Sequence, residues 1–412
     1  MRHDEIPVLL LTGYLGSGKT TLVNRILSNE KGIRFAVIVN DIGEVNIDAT
    51  LIQKGGVVGS KDDSLVALQN GCICCTLQTD LMEQISNLVR TGRFDYIVIE
   101  ASGVCEPEPI ARTICSMPRV DPRYVEFGKP RLDCIVTVVD AARIQDEFAG
   151  GDSLVRKDIE EDDIENLIIQ QIEFCNIVML NKVSEVTPEQ LGRIRQIVLS
   201  LQPSARIIEC DYADVDIDKL LNTRLFSYNQ VAASAGWIRG IESTPTDEDE
   251  AEARGHGHEH EHEHGHEGHH HHHHHEHEGG ETEEYGIGTF VYYRRPPLDI
   301  NKFDNFVIKH WPAGVIRAKG VCYFSQDPDM SYLFEQAGRQ KQLKEAGQWY
   351  ATAPEEELEQ LKAQDPGFSR DWDEHYGDRM QKIVFIGQHM DEEQIKKDLD
   401  FCLDREADIY GM

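Results

Sequence analysis

A chain of 412 residues can bury a large core and is long enough for two or three domains. Apolar content of 40% and aromatic content of 8% fit a globular protein, and a formal net charge of -32 sets the chain against nucleic acid and anionic membrane, which would both repel it. The N-terminus has no signal-peptide form and no apolar run is long enough to span a bilayer, so a cytoplasmic protein without membrane or nucleic-acid partners is expected.

Taken in chain order, the first half alternates short apolar runs with amphipathic stretches. Strands are predicted at Pro7–Thr12, Arg34–Asn40, Tyr96–Glu100, Cys134–Val139, Ile177–Leu180 and Ala205–Cys210. Helices are predicted at Thr20–Leu27, Leu81–Val89, Ile110–Met117, Ile164–Phe174 and Pro188–Leu201. Nearly continuous apolar strands separated by helices predict a parallel sheet covered on both faces, an α/β domain over residues 1–225. A linker with a helical look follows at 226–241. Residues 242–285 hold fourteen of the eighteen histidines, interleaved with Glu and Gly and including seven in a row at His269–His275. Such a composition cannot pack a core and is expected to be disordered without metal. Residues 286–412 are expected to form a smaller C-terminal α+β domain, with strands at Thr289–Tyr293 and Val384–Ile386 and helices at Phe303–Lys309 and Glu392–Leu403. Pro354–Ser369 is charged and reads as a surface helix and loop, and Trp311, Trp349 and Trp372 read as core.

The segment Gly13-Tyr-Leu-Gly16-Ser17-Gly18-Lys19-Thr20 matches the phosphate-binding pattern G-x-x-x-x-G-K-[ST], with an apolar strand before it and a helix after it. The glycines let backbone N–H groups wrap phosphates, and the helix N-terminus favours negative charge. Lys19 is expected to reach the β- and γ-phosphates and Thr20 to bind magnesium. Glu100, at the end of its strand, is a second candidate for magnesium, through water, and Gly103 a candidate for approach to the γ-phosphate. Asn40-Asp41-Ile-Gly43-Glu44 follows the second strand, where a switch segment belongs. Base selection is expected from Asn181 and Lys182. GTPases of the phosphate-loop class carry Asn-Lys-x-Asp there, whereas this chain reads Asn181-Lys182-Val183-Ser184-Glu185. The Asp that pairs with guanine N1 and N2 is missing, leaving Glu185 and Ser184 as alternatives and guanine over adenine as the expected preference.

Gly71-Cys72-Ile73-Cys74-Cys75-Thr76 puts three thiols within four residues. In a reducing compartment such a cluster points to metal or redox chemistry before disulfides. A turn would bring Cys72, Cys74 and Cys75 to one ion; thiolates suit zinc and equally copper(I), and a carboxylate, imidazole or water completes the set. Asp41 and Glu44 are further candidates for the zinc site. Cys134, Cys175 and Cys322 lie in apolar stretches and read as buried structural residues. The thiols fall between the switch segment and the Glu100 strand, so metal affinity and nucleotide state should be linked. The histidine tract reads as a zinc store or capture arm, or as a charged spacer.

Together Gly13–Thr21, Asn40–Glu44, Gly71–Thr76, Glu100–Gly103 and the C-terminal unit resemble the CobW-type GTPases, which act as metallochaperones. Within that last unit the resemblance rests on Arg317-Ala-Lys319-Gly320, Gly377-Asp378-Arg379 and Val384-Phe385-Ile386-Gly387. It covers nearly the whole chain outside the histidine tract. It implies a phosphate-loop domain with GTP, GDP and magnesium held along Gly13 to Thr21, slow hydrolysis, zinc at Cys72, Cys74 and Cys75, and a client metalloprotein that receives the zinc. Asp41 stands where the family usually has Glu, and Ser184 is the larger departure. The alternatives are a cobalt or iron chaperone, or a zinc buffer or sensor with a vestigial nucleotide site. No sequence feature fixes an oligomeric state.

Overall fold

A computed structural model describes residues 5–28, 31–40, 65–68, 78–148, 162–233, 285–338, 340–354, 357–359 and 372–405. The chain divides into two compact units, one built essentially from Met1–Gly236 and one from the remainder.

The first unit is an α/β layer structure around a seven-stranded sheet. Its strands are β1 (Glu5–Thr12), β2 (Phe35–Asn40), β3 (Leu65–Leu68), β4 (Tyr96–Glu100), β5 (Lys129–Asp140), β6 (Ile177–Asn181) and β7 (Arg206–Glu209). Their order is β3-β2-β4-β1-β5-β6-β7 and every pair is parallel. The helices are α1 (Lys19–Leu27), α2 (Gln78–Thr91), α3 (Pro107–Val120), α4 (Ala141–Phe148), α5 (Asp162–Glu173), α6 (Pro188–Leu201) and α7 (Tyr228–Ala233).

Val8, Leu9, Leu10 and Leu11 are all fully buried, so both faces of β1 are covered. That is why the central strands read as unbroken apolar runs rather than alternating ones. Leu9 and Leu11 pack with Leu22, Val23 and Ile26 of α1 and with Val37, Val98 and Val136 of neighbouring strands. Helix α6 starts on a capping box: Gln190 N–H donates to Thr187 Oγ1 at 3.2 Å and Thr187 N–H donates to Gln190 Oε1 at 2.8 Å. Beyond the sheet, the chain closes on Asp133 of β5. This carboxylate is fully buried and accepts from Tyr96 Oη (2.8 Å), Thr223 N (2.9 Å), Arg224 N (2.9 Å) and Arg131 Nη1 (2.9 Å).

The second unit carries β8 (Ile287–Arg294), α8 (Ile300–Lys309), β9 (Val315–Phe324), β10 (Asp327–Ala337), β11 (Gln340–Gln348), β12 (Gln381–Gln388) and α9 (Glu392–Cys402). The strands form a five-stranded sheet, order β11-β10-β9-β12-β8, with β8–β12, β12–β9 and β9–β10 antiparallel. Phe303 and Phe306 of α8 and Ile395 and Leu399 of α9 share one core with Phe290, Tyr292, Ile383 and Phe385 of the sheet. Phe290 and Phe385 stack at 5.0 Å between ring centroids. The expected α/β unit and smaller α+β unit are both present.

Most expected elements recur with longer ends; β4 and α6 span the residues expected, β2, β7 and α9 are one or two residues shorter, and α5 is shifted toward the N-terminus. Strands β3, β9, β10 and β11 and helix α4 were not expected. The cysteines read as structural, Cys134, Cys175 and Cys322, are buried. Trp349 is buried and Trp311 packs against the second core. Expectations for Asp41, Glu44, Cys72, Cys74, Cys75, the histidine tract and most of Pro354–Ser369 lie outside the described residues.

Candidate functional site

Parallel sheets of this kind place ligand sites at the C-terminal ends of their strands. Here β1 ends at Thr12 and runs directly into the glycine-rich loop. Gly13 has φ 132°, and a Cβ there would lie 2.2 Å from the carbonyl oxygen of Val138 on β5. Only glycine lets the loop leave the sheet so close to its neighbour. Gly16 and Gly18 also have positive φ, and Gly18 is the N-cap of α1. As in any α-helix, the first-turn N–H groups of α1 have no intrahelical acceptor, and the positive end of the helix dipole lies there. The first turn holds no acidic side chain to oppose an anion.

Lys19 is buried, and its ammonium donates to the carbonyl oxygens of Gly13 (2.8 Å) and Tyr14 (3.3 Å). The side chain thus curls back across the loop that its own backbone continues. Ser17 is also buried, and among the described residues its Oγ has no hydrogen-bond partner. A buried hydroxyl in that state costs free energy unless a ligand oxygen satisfies it. Thr20 Oγ1 donates to Glu100 Oε1 at 3.0 Å, joining the start of α1 to the end of β4. Glu100 is 1% exposed, a carboxylate buried at the strand end. Gly103 lies against the loop, where a Cβ would come 2.8 Å from Leu15 N. Thr21 is exposed on the same turn of α1.

Three strand ends meet further along the edge. Asp140 of β5 is in register with Asn181 of β6, and Leu180 with Glu209 of β7. Asn181 is buried; its Nδ2 donates to Ser17 O at 2.8 Å and its Oδ1 accepts from Ala213 N at 3.0 Å. One side chain therefore ties the phosphate loop to the turn after β7. Lys182 has a left-handed backbone, φ 62°, and its ammonium pairs with Asp140. Ser184 donates through N (3.0 Å) and Oγ (2.8 Å) to Asp211 Oδ1. Gln171 donates to the carbonyls of Gly103 (3.3 Å) and Cys105 (3.0 Å), bracing the segment that touches the loop.

The structure thus gathers Gly13, Gly16, Ser17, Gly18, Lys19, Thr20, Glu100, Gly103 and Asn181 at one edge of the sheet. Asp140, Gln171 and Asp211 join them there without having been read from the sequence. Asp140 closes an apolar strand, the same cue that marks Glu100; Asp211 and Gln171 have no local signature.

Burial pushes the thiols of Cys134 and Cys175 up to about 12 and that of Cys210 up to about 11, so all three stay protonated near neutral pH and ligate metal poorly. Among the described residues no group of three or more His, Cys, Asp or Glu side chains could hold a metal.

Fold and loop define a phosphate-loop nucleotide-binding protein with an appended antiparallel-sheet unit. Residues 7–209 match the CobW/HypB/UreG nucleotide-binding domain, and residues 287–403 match the cobalamin synthesis protein cobW C-terminal domain. The chain belongs to the CobW family. It is similar to the zinc-regulated GTPase metalloprotein activator 1 of Dictyostelium discoideum, at 32% identity over 98% of this chain and 81% of that protein. It is also similar to the zinc chaperone CobW of Pseudomonas aeruginosa, at 31% identity over 53% of this chain and 60% of that protein. Among solved structures, the Zn(II)-bound YjiA GTPase from E. coli is similar at 19% identity, over 97% of this chain and 100% of that one, with a TM-score of 0.39.

Proposed function

We propose that the protein is a GTP-hydrolysing metallochaperone that binds zinc at Cys72, Cys74 and Cys75 and passes it to a client metalloprotein under control of nucleotide state. The observation that carries the nucleotide half is the preformed loop: Lys19 held on Gly13 and Tyr14, and Thr20 joined to Glu100. Relatives named as zinc chaperones and zinc-regulated GTPases support the metal half.

The triphosphate would lie along Gly13–Thr20, with loop N–H groups on its oxygens and Ser17 Oγ satisfied by one of them. Lys19 neutralises the β- and γ-phosphates as charge shifts in the transition state. Magnesium suits hard oxygens and keeps most of its own waters. The donor set fits: Thr20 Oγ1 would bind the ion and Glu100 would hold it through water, two groups that already meet at 3.0 Å. Held there, the ion would supply positive charge that offsets charge on the phosphates. Water attacks the γ-phosphate, and no side-chain nucleophile is required. Asn181 and Lys182 would lie by the base. The cytoplasm keeps the three thiols reduced, and zinc there is cargo.

GTP turnover and metal content measured on one preparation test this reading. Turnover that zinc alters, with one tight zinc per chain, is expected. Zinc binding with turnover no greater than that of Lys19→Ala would make the protein a zinc buffer instead. Cobalt or iron as the tightly held metal would change the cargo.

A further inference from the structure

Guanine presents two donors on its pairing edge, N1–H and the 2-amino group, where adenine has neither together. A carboxylate accepts both at once, since it has two acceptor oxygens and no donor. The position after β6 where the Asn-Lys-x-Asp pattern puts that carboxylate holds Ser184. The neighbouring strand supplies one instead. Asp211, two residues past β7, accepts both Ser184 N and Ser184 Oγ on a single oxygen, Oδ1, at 3.0 and 2.8 Å. Its Oδ2 bonds no other residue among those described. Asp211 is half-buried.

The turn that carries it is held in a costly shape. Tyr212 and Ala213 both have left-handed backbones, φ 52° and 54°, which side-chain-bearing residues rarely adopt. Four contacts fix the turn: Ala213 N to Asn181 Oδ1 (3.0 Å), Asp214 N to Asp211 O (2.9 Å), Arg25 Nε to Tyr212 O (3.0 Å) and Arg25 Nη1 to Asp214 Oδ1 (2.7 Å). The Asn181 that pins the turn also grips the phosphate loop at Ser17 O. Phosphate site and Asp211 are therefore set at a fixed spacing along one edge of the sheet.

We propose that Asp211, held by Ser184, is the carboxylate that recognises guanine in this protein. The assignment rests on the nucleotide reading above. It makes the Ser184 departure a relocation of the acidic group rather than a loss.

The test is equilibrium binding of guanosine, xanthosine and adenosine diphosphates to the full chain, with thermal unfolding as the control for folding. Xanthine replaces the 2-amino donor with an acceptor, so Asp211→Asn turns its amide donor toward the new oxygen. Asp211→Asn should weaken guanosine diphosphate by about 10- to 100-fold, as for loss of a bond to a charged group, and strengthen xanthosine diphosphate. Adding Ser184→Asp to that variant should restore guanine preference, which also tests the site if the single variant folds poorly. Guanine preference in the wild type that Asp211→Asn leaves unchanged overturns the assignment. So does equal weakening of all three nucleotides, which would make Asp211 a structural cap. A wild type that binds adenosine and guanosine diphosphates equally would instead remove the guanine reading on which the proposal stands.

Discussion

Lys19 and Asp133 show how much single side chains carry in this fold, one for chemistry and one for stability. Lys19 is held inside the loop by two carbonyls, so its ammonium is placed before any phosphate arrives. Lys19→Ala should lower GTP turnover by at least about 100-fold, as expected for removal of a preorganised charge from a phosphoryl-transfer site, with the unfolding temperature nearly retained. Steady-state turnover at saturating GTP checks this; wild-type turnover in the variant would place catalysis elsewhere. Asp133 is a structural counterpart. Burial alone would raise its pKa, but the Arg224 N–H, the Tyr96 hydroxyl, Arg131 and the Thr223 N–H outweigh burial and hold it below the ordinary 3.8. A depressed carboxylate stabilises the fold above its unfolded value, and that contribution is lost as pH falls through the folded value. Asp133→Asn should therefore cost about 3 kcal/mol near neutral pH, within the range for breaking a buried charged network. The difference from wild type should shrink as pH drops below about 4 in denaturant titrations. A difference independent of pH would mean that Asp133 acts without its charge.

At the scale of elements, helix starts and strand ends do the positioning. Helix α6 follows the loop after β6, and its capping box fixes where the segment of Ser184 and Glu185 ends and the helix begins. Thr187→Ala should cost about 1 kcal/mol in unfolding free energy, the usual loss for an N-cap. No change would show that Gln190 holds the turn alone. The central strands and α6 were legible because burial on both faces leaves unbroken apolar runs, and because Thr187-Pro188 announces a helix start. The long β5 was legible only in its second half: Lys129, Arg131 and Asp133 interrupt the apolar run at its start, where Arg131 and Asp133 pair with each other. Strand β11 reads Gln-Lys-Gln-Leu-Lys-Glu-Ala-Gly-Gln, mostly exposed at a sheet edge, and carries no apolar alternation to find. The site divides the same way. Lys19, Thr20 and Glu100 have local signatures, a glycine pattern and a carboxylate after an apolar run. The meeting of Ser184 with Asp211 depends on the placement of β6 beside β7, 27 residues apart in sequence, and no local pattern encodes it.

Across the whole molecule, two kinds of proposed metal ligand are set far apart in sequence: three thiols at Cys72–Cys75 and fourteen histidines within 242–285. Glu-His repeats lose ordering entropy when they close on an ion, which weakens their sites. Deleting Gly255–Glu278 should remove weak zinc sites and leave one tight site per chain, counted by competition with a zinc chelator. Loss of the tight site would show that histidines are essential ligands. The same shortened protein allows the most direct test of nucleotide-controlled metal binding. Zinc affinity should be measured with a non-hydrolysable GTP analogue and again with GDP, in the shortened protein and with Cys72, Cys74 and Cys75 all replaced by Ser. Linkage requires that GTP shift zinc affinity by the factor by which zinc shifts GTP affinity, and a tenfold factor needs only about 1.4 kcal/mol. Different zinc affinities in the two nucleotide states, lost on the triple replacement, are expected. Equal affinities would contradict the coupling and leave a GTPase beside an independent metal site.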